Sequence, residues 1–137
     1  MTLRPARFIW HDSPLLRILD ADTLEFHLSM TVDVGFGRRL TCDGPQRVRL
    51  ARIDTWPAKS PRGAAGTERV RELLTGQMVT VETLRPYKYG GSQAAAEYMA
   101  EVTLPDGQNL TDLLITEGHG LPYDGRTARP AVPDADR

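Results

Sequence analysis

The feature that most constrains the fold is residues 23–34, "TLEFHLSMTVDV", in which apolar and polar side chains alternate without interruption. A period of two residues places every second side chain on the same face of a β-strand. The pattern therefore predicts a long strand that is buried on one face and polar on the other. The apolar set is Leu24, Phe26, Leu28, Met30, Val32 and Val34.

Four further segments predict the strands that complete a sheet. A short turn, "DADT", joins the first of them to residues 23–34, and a glycine-rich connection, "GFGRRLTCDGP", leads from there to the next strand. The four segments are "PLLRIL" (14–19), "QRVRLARI" (46–53), "QMVTVETL" (77–84) and "EYMAEVTL" (97–104). The sequence therefore predicts five strands.

Two segments predict helices. "AAGTERVRELLTG" (64–76) has good helix formers and a terminal glycine, and "NLTDLLITEG" (109–118) begins with Asn109 as a cap and ends at Gly118. Five antiparallel strands, one helix between the third and fourth and a second helix after the fifth are the layout of an OB-fold, a mainly β barrel. A small Ig-like or SH3-like barrel fits the strand count, but the position of the helix argues against both.

Length and composition are those of one small domain. The chain has 137 residues, of which 40% are apolar, and we expect the domain to cover residues 1–125 and residues 126–137 to form a disordered tail. Because no apolar run of 18 residues and no signal-peptide pattern is present, we expect a cytoplasmic protein without a membrane partner. Cys42, the single cysteine, predicts a plain, partly buried thiol.

The charges are unevenly distributed, although the formal net charge is only -1. Residues 38–71 carry nine Lys or Arg against three acids, whereas residues 91–137 carry three Arg against eight acids. A local basic segment can bind a polyanion because phosphate groups are neutralised locally. A solvated polar face explains the same pattern and is the more frequent reason for it.

Three polar segments stand out as candidate sites. Asp20 and Asp22 lie in the "DADT" turn, Asp54 and Thr55 lie at the end of the third strand, and "YKYGG" (87–91) lies between the last two strands. We expect the two carboxylates of the turn to lie at the rim of the barrel rather than in its core. Carboxylate oxygens on neighbouring strand ends predict a site for a hard cation. The alternative for "DADT" is an ordinary turn, in which Asp and Thr bond their own backbone.

Four separated motifs make the sequence similar to the staphylococcal (micrococcal) nuclease family. The motifs are "ILDADTLEF", "RVRLARIDT", "KYGG" and "LPDGQNLTDLLITEG", in the order and spacing of that family, and the likeness extends from about Pro14 to Gly125. The resemblance implies an OB-fold and a calcium-dependent nuclease that cleaves DNA and RNA. The short N-terminal extension and the missing third helix resemble phage and prophage members.

The resemblance assigns roles to individual residues. Asp22 and Asp54 match the calcium-binding aspartates, and Thr55 matches the residue whose carbonyl binds the ion; Ca²⁺ is the implied cofactor, with Mg²⁺ or Mn²⁺ as alternatives. Arg49 matches a catalytic arginine that binds the scissile phosphate. Lys88 and Tyr89 match residues that contact the phosphate and sugar of DNA, RNA or a nucleotide. Arg49 as a surface strand residue and Tyr89 as a packed aromatic are the ordinary alternatives.

Two positions depart from the family pattern. The family has Asp-Thr-Pro-Glu, in which the Glu acts on the attacking water, whereas this chain has Trp56, Pro57 and Ala58 after Thr55. The family also has Lys-Tyr-Gly-Arg, whereas Gly91 stands here in place of the second phosphate-binding arginine. A general base contributes about 10² to 10⁴ in rate and a positioned donor about 10² to 10³, so the loss of both predicts about four decades less activity.

Other groups are weaker candidates. None of the three histidines has an evident partner in the sequence, and Trp56 either stacks on a base or packs against the first helix. Groups that would replace the missing acid are Asp20, Asp43, Glu68 and Glu97, and those that would replace the missing arginine are Arg52, Arg62 and Arg85.

Three functions are consistent with these residues. The leading one is a domain that binds a divalent cation and nucleic acid or nucleotide phosphate and has a degenerate catalytic site with weak or no cleavage. The first alternative is an active Ca²⁺-, Mg²⁺- or Mn²⁺-dependent nuclease with a rearranged site. The second is a protein-interaction scaffold.

Overall fold

A computed structural model describes residues 7–86 and 97–123 of the chain. In chain order its elements are β1 (Phe8–Asp20), β2 (Thr23–Gly35), β3 (Arg38–Leu50), β4 (Ile53–Thr55), α1 (Pro61–Leu74), β5 (Met78–Pro86), β6 (Glu97–Thr103), α2 (Leu110–Thr116) and β7 (Gly120–Pro122). Lys88, Tyr89, the "YKYGG" segment, the domain boundary at residue 125 and the predicted tail lie outside the described residues.

Five strands form a closed barrel in the order β1-β2-β3-β6-β5. Neighbouring strands are antiparallel except β3 and β6, which run parallel, and β1 closes the barrel by pairing with β5. The helix α1 connects the third and fourth barrel strands, and α2 follows the fifth. The predicted fold is therefore confirmed: the chain is mainly β, with the strand order and helix positions of an OB-fold.

The core fills the barrel and extends under both helices. On β2 the predicted alternation places Leu24, Phe26 and Leu28 inside, and α1 adds Val70 and Leu74 from the same helical face. Leu110 and Leu114 of α2 cover another part of the barrel and are fully buried. Each helix thus packs one apolar stripe on the barrel, as an amphipathic helix does.

The helix α1 begins three residues earlier than predicted, at Pro61. Ser60 caps it, because its hydroxyl accepts a hydrogen bond from the Gly63 backbone N–H at 3.0 Å. Proline suits the first position of a helix, where no backbone donor is needed. A Cβ built on Gly63 would lie 1.8 Å from the Pro57 carbonyl oxygen, so the first turn of α1 lies directly against the loop that follows β4.

The glycine-rich connection predicted for residues 35–45 is wrong. Gly35, Phe36 and Gly37 form a tight turn with positive φ angles, and β3 begins at once at Arg38. The β2–β3 hairpin is consequently much longer than expected. Pairing with β1 ends at Phe26 and pairing with β6 begins at Arg47, so the outer part of the hairpin extends beyond the barrel.

This extension corrects three expectations about side chains. Val32 and Val34, predicted to be buried, are each 46% exposed, because they lie beyond the part of β2 that pairs with β1. Cys42 lies on the same extension and is exposed rather than partly buried. His27 does have a partner, the Asp43 carboxylate, which lies diagonally across on the facing strand of the long hairpin.

The predicted third strand (46–53) is interrupted. Arg52 has a left-handed backbone with φ of 70°, which ends β3 and turns the chain into the short strand β4. β4 leaves the barrel and pairs with β7, a strand that the sequence analysis did not predict. Within the described residues no helix has the length and apolar character needed to cross a membrane.

Candidate metal and phosphate site

Asp22, Arg49 and Asp54 come together at one end of β2 and β3, although 32 residues separate the two aspartates in the sequence. The Arg49 Nη2 atom lies 3.4 Å from Asp22 Oδ2 and 3.5 Å from Asp54 Oδ1. All three side chains are buried, with at most 6% of each residue exposed. Three of the residues predicted for the site thus form one buried charge cluster.

The local backbone explains why these side chains meet. Thr23 of β2 pairs with Arg49 of β3, which places the β1–β2 turn beside the arginine, and the Leu50 N–H donates to the Asp22 carbonyl at 2.8 Å. Arg52 has a left-handed backbone, and the bend at this residue leads the chain back past Arg49. The Arg49 Nη1 atom donates to the carbonyls of Leu50 and Ile53 at 2.8 Å each, so the backbone of this bend holds the guanidinium in place.

The Asp22 carboxylate accepts hydrogen bonds at both oxygens. Thr23 Oγ1 donates to one at 3.2 Å, and the backbone N–H of Thr55 donates to the other at 3.0 Å. Burial alone would raise the pKa of Asp22, but the hydrogen bond with Asp20, the charge of Arg49 and the bonds from Thr55 hold that pKa below its usual value. Asp22 is therefore ionised at neutral pH.

Asp20 stands beside Asp22 in the same turn and accepts a hydrogen bond from the Asp22 backbone N–H at 3.1 Å. Burial raises its pKa to about 7, and the neighbouring carboxylate of Asp22 adds to the rise through a shared hydrogen bond and through its charge. The turn thus contains one carboxylate that is ionised and one that exchanges a proton near neutral pH.

The sequence predicts that the carboxylates of this turn lie at the rim of the barrel rather than in its core, but part of the turn is buried. Ala21 and Asp22 are buried, because α1 lies across the turn and brings Gly66 close to the Ala21 methyl group. A Cβ on Gly66 would lie 3.5 Å from Ala21 Cβ and 3.4 Å from His119 Cβ. Because Gly66 has no side chain, α1 lies close over the turn, with space for little more than a methyl group at this position.

Trp56 follows Thr55 in the segment where the family pattern Asp-Thr-Pro-Glu has its glutamate. Its side chain is buried, its indole N–H donates to the Gly118 carbonyl at 2.8 Å, and the Arg62 guanidinium lies 3.9 Å from its ring centroid. Of the two alternatives for Trp56, packing against the first helix is the one that the contacts support. The arginine covers one ring face, which a base would otherwise use.

The structure distinguishes among the candidate replacement groups. Asp20 is the one that contacts the cluster directly, through Asp22. The others contact residues elsewhere: Asp43 pairs with His27, Glu68 with Arg71, Glu97 with Arg47, and Arg52 with Glu101 and Asp112, while Arg62 lies over Trp56 and Arg85 lies on β5.

The strand β7 supports the site and was missed by the sequence analysis. Thr55 pairs with Gly120, and a Cβ on Gly120 would lie 2.8 Å from the Asp54 carbonyl oxygen and from the Ile53 side chain. His119 lies next to this strand, and its Nε2 is 3.5 Å from a Glu117 oxygen, so it has a partner as well. Gly118 and Gly120, on either side of His119, were the sequence signal for this strand. Glycine is common where two backbones approach closely.

The chemical character of the cluster fits a hard cation. Asp22 and Asp54 supply carboxylate oxygens, and Thr55 adds a backbone carbonyl in the same short strand, which are the ligand types that Ca²⁺ and Mg²⁺ prefer. Among residues 7–86 and 97–123, no set of three or more His, Cys, Asp or Glu side chains is arranged to hold a metal ion. A cation at this site would thus depend on two carboxylates, with water and substrate oxygens supplying further ligands.

Comparison with known proteins relates the chain distantly to two curated proteins. No family model matches the chain. It is similar to a protein named uncharacterized endonuclease from Escherichia coli O157:H7, with 27% identity over 119 residues that cover 87% of this chain. A protein of the same name from Escherichia coli matches equally well. The chain spans 65% of the length of these curated relatives.

Proposed function

We propose that this chain is a nuclease-like domain that binds a divalent cation and the phosphate groups of nucleic acid at the Asp22–Arg49–Asp54 cluster, and that its cleavage of phosphodiesters is weak or absent. The observation that carries the proposal is the convergence of two carboxylates and one guanidinium in a buried cluster. Burying charge costs free energy that ion pairing seldom returns in full. A cluster of this kind is therefore better explained by a ligand than by stability.

Two sequence similarities support a nucleic-acid ligand. The relatives named uncharacterized endonuclease align with 87% of this chain. The motifs that resemble the staphylococcal nuclease family include all three residues of the cluster, and in that family the matching residues bind calcium and phosphate. The family assignment itself is part of this proposal.

The charge balance of the cluster supports a cation. Arg49 contributes one positive charge against Asp22, Asp54 and the partly ionised Asp20, so the buried group is negative overall at neutral pH. We propose Ca²⁺ as the ion, held by the carboxylates of Asp22 and Asp54 and by the Thr55 carbonyl, with Mg²⁺ and Mn²⁺ as the alternatives. Such an ion, when bound, polarises a phosphate oxygen and lowers the pKa of a bound water.

Arg49 is the proposed phosphate ligand. Its Nη1 atom is fixed by two backbone carbonyls, whereas its contacts to the carboxylates, 3.4 and 3.5 Å, are longer than the roughly 2.7 to 2.9 Å of a tight charge-assisted hydrogen bond. The backbone thus orients the guanidinium. A planar, permanently charged guanidinium is the group that proteins most often use to bind phosphate oxygens in a bidentate manner.

Weak cleavage follows from Trp56. The residue after Thr55 is an indole that is bonded to Gly118 and covered by Arg62, and Pro57 and Ala58 come next. None of these can take a proton from water. Without a general base the rate falls by about 10² to 10⁴.

An active endonuclease is the second candidate, and the name of the two relatives favours it. In that case Asp20, the carboxyl group that contacts Asp22, is the group we expect to replace the missing glutamate. The predicted protein scaffold has no observation in its favour beyond the basic segment.

One assay separates these functions. Purified protein is mixed with fluorescent single-stranded DNA or RNA in Ca²⁺, Mg²⁺, Mn²⁺ or EDTA, and both anisotropy and strand cleavage are measured. We expect binding that EDTA and added salt weaken, that Arg49→Met abolishes and that Asp106→Asn, a change in an exposed turn, leaves intact. Rapid cleavage that Asp22→Asn removes would instead establish the endonuclease, and no binding at low salt would rule out a nucleic-acid ligand.

A further inference from the structure

The outer part of the β2–β3 hairpin, residues 27–45, is an arm that pairs with no third strand among the described residues. Its strands pair with each other from His27 opposite Pro45 to Gly35 opposite Arg38, while the pairing of β2 with β1 and of β3 with β6 lies entirely within the barrel. A two-stranded ribbon with two open edges is marginally stable in water. We therefore expect a contact with another molecule to stabilise an arm of this length.

The two faces of the arm differ in chemistry. On one face Met30 lies opposite Cys42 and Val32 opposite Leu40, whereas the other face carries polar pairs such as Thr31 opposite Thr41. Leu40 is 62% exposed, and Val32 and Val34 are 46% exposed each. Exposed apolar side chains that follow one another on a single face mark an interaction surface.

Phe36, at the tip of the arm, is the most unusual residue on this surface. It is completely exposed, and its backbone has a φ of 56°, a left-handed conformation that glycine and asparagine adopt much more easily than a bulky aromatic residue. An asparagine at this position would suit the turn better. The phenylalanine is thus unfavourable for the isolated arm, which points to a contact with another molecule.

The base of the arm borders an apolar groove of about 500 Å³. One wall is the apolar face of the arm itself, and the other contains Phe8 and Trp10 of β1 and Tyr98 of β6. Phe8 is 46% exposed and Tyr98 37%, so the groove has aromatic surface still available for contact. Its size is in the range of small-ligand pockets, which readily accept an aromatic side chain.

We propose that the arm is a dimerisation element, in which Phe36 and its apolar neighbours enter the groove of a second copy while the arm of that copy enters the groove of the first. The same chain carries both the apolar projection and the apolar groove. A reciprocal exchange of this kind closes with two-fold symmetry and leaves no open end. The strand edges of the two arms lie side by side in this arrangement and satisfy each other's backbone groups.

The arm cannot fill its own groove. Phe36 lies eight residues beyond Leu28 along β2, which is roughly 26 Å of extended strand at about 3.3 Å per residue. Returning the tip to the base would break the ribbon. The groove is therefore accessible to the tip of a second copy and not to that of its own chain.

The charges of the arm favour a second copy over nucleic acid. Residues 27–45 contain Arg38 and Arg39 against Asp33 and Asp43, so the arm is neutral apart from His27, which is paired with Asp43. A surface that binds a polyanion needs an excess of positive charge. The inference is independent of the proposed cation and phosphate site, which lies at the opposite end of β2 and β3.

The first test measures mass against concentration. Sedimentation equilibrium over about 1 to 200 μM is expected to give twice the chain mass of 15.2 kDa for the wild type, and Phe36→Asn is expected to raise the dimer dissociation constant at least about 30-fold. Asparagine suits the turn, so this variant folds. Leu16→Asn is the control, because it removes an apolar side chain of β1 that is also half exposed but lies outside the groove. This variant is expected to leave the dimer dissociation constant unchanged.

The second test uses complementation. Phe36→Asn keeps the groove and lacks the projection, whereas Phe8→Ser keeps the projection and has a damaged groove. An equimolar mixture of the two is expected to form a heterodimer that is tighter than either variant alone, because one intact contact remains. Labelling of Cys42, which lines the groove, is expected to slow as the wild type dimerises.

Three results would overturn the proposal. The first is a wild type that stays at the monomer mass throughout the range. The second is a dimer that Phe36→Asn does not weaken, or a mixture that associates no better than its components. The third is a monomer in which Phe36→Asn reduces oligonucleotide binding, which would assign the tip of the arm to nucleic acid.

Discussion

The two ends of β2 and β3 differ in which side chains they bury and which they expose. At the barrel end, Asp22, Arg49 and Asp54 are buried under α1 and beside β7; at the arm end, Val34, Leu40 and other apolar side chains lie in solvent. Folded chains normally bury the second kind and expose the first. Each end therefore departs from what stability alone favours, and we propose a binding surface of a different character at each.

Different interactions hold the two ends in place. The barrel end is rigid, because backbone carbonyls hold Arg49 and a backbone N–H holds Asp22. Among the described residues, the strands of the outer arm pair only with each other. We therefore expect substitutions at the barrel end to change the stability of the whole domain, and substitutions in the arm to change association with little effect on folding.

The largest effect is expected from Arg49→Met, which leaves two buried carboxylates without their guanidinium. Breaking one side of a buried ion pair costs about 3 to 5 kcal/mol, so the free energy of unfolding in EDTA should fall by that amount. Urea denaturation measures it. Arg71→Met, which removes an exposed arginine paired with Glu68 on α1, should cost less than about 1 kcal/mol. Equal costs for the two variants would contradict the view that Arg49 compensates buried carboxylates at the barrel end.

An intermediate effect is expected from Gly120→Ala, because the new methyl group would lie 2.8 Å from the Asp54 carbonyl. Overpacking of this kind costs about 1 to 3 kcal/mol, and the displacement of β4 should also weaken cation binding. Gly66→Ala is the matched control, since its methyl group would meet Ala21 and His119 at 3.4 to 3.5 Å, an ordinary contact. If Gly120→Ala were as stable as this control, β7 would not position Asp54.

The smallest effect is expected from Phe36→Asn on the stability of the monomer. Relief of the left-handed backbone should raise the free energy of unfolding by up to about 1 kcal/mol. Denaturation at a concentration below the dimer range measures this change. Phe36→Ala removes the same ring without easing the backbone and should be less stable than Phe36→Asn. A loss of stability in Phe36→Asn would mean that the ring has a contact within its own chain.

Much of the barrel could be predicted because its signals are local. Alternation identified the strands, helix formers and caps identified both helices, and their order gave the fold. The short strands β4 and β7 could not be found in this way, because three residues are too few to show a period. The left-handed backbone of Arg52, which creates β4, has no sequence signal either.

The arm shows a second limit of sequence patterns. Alternation in residues 23–34 distinguishes two faces, but it does not reveal whether another element covers the apolar one. Leu28 and Val34 have the same pattern, but Leu28 belongs to the core of the barrel, whereas Val34, six residues further along the hairpin, is 46% exposed. The carboxylate cluster was found through the motif resemblance, whereas the burial of Asp22 depends on α1, which is distant in sequence.

Calorimetric titration of Ca²⁺ into the wild type and into Asp22→Asn tests the central claim most directly. Asparagine retains an oxygen that can accept the Thr55 N–H but removes one negative charge from the cluster, so folding should be preserved while cation affinity is lost. The account predicts one Ca²⁺ bound per chain in the wild type and no detectable binding in the variant. No binding to the wild type, or the same binding to both proteins, would contradict it.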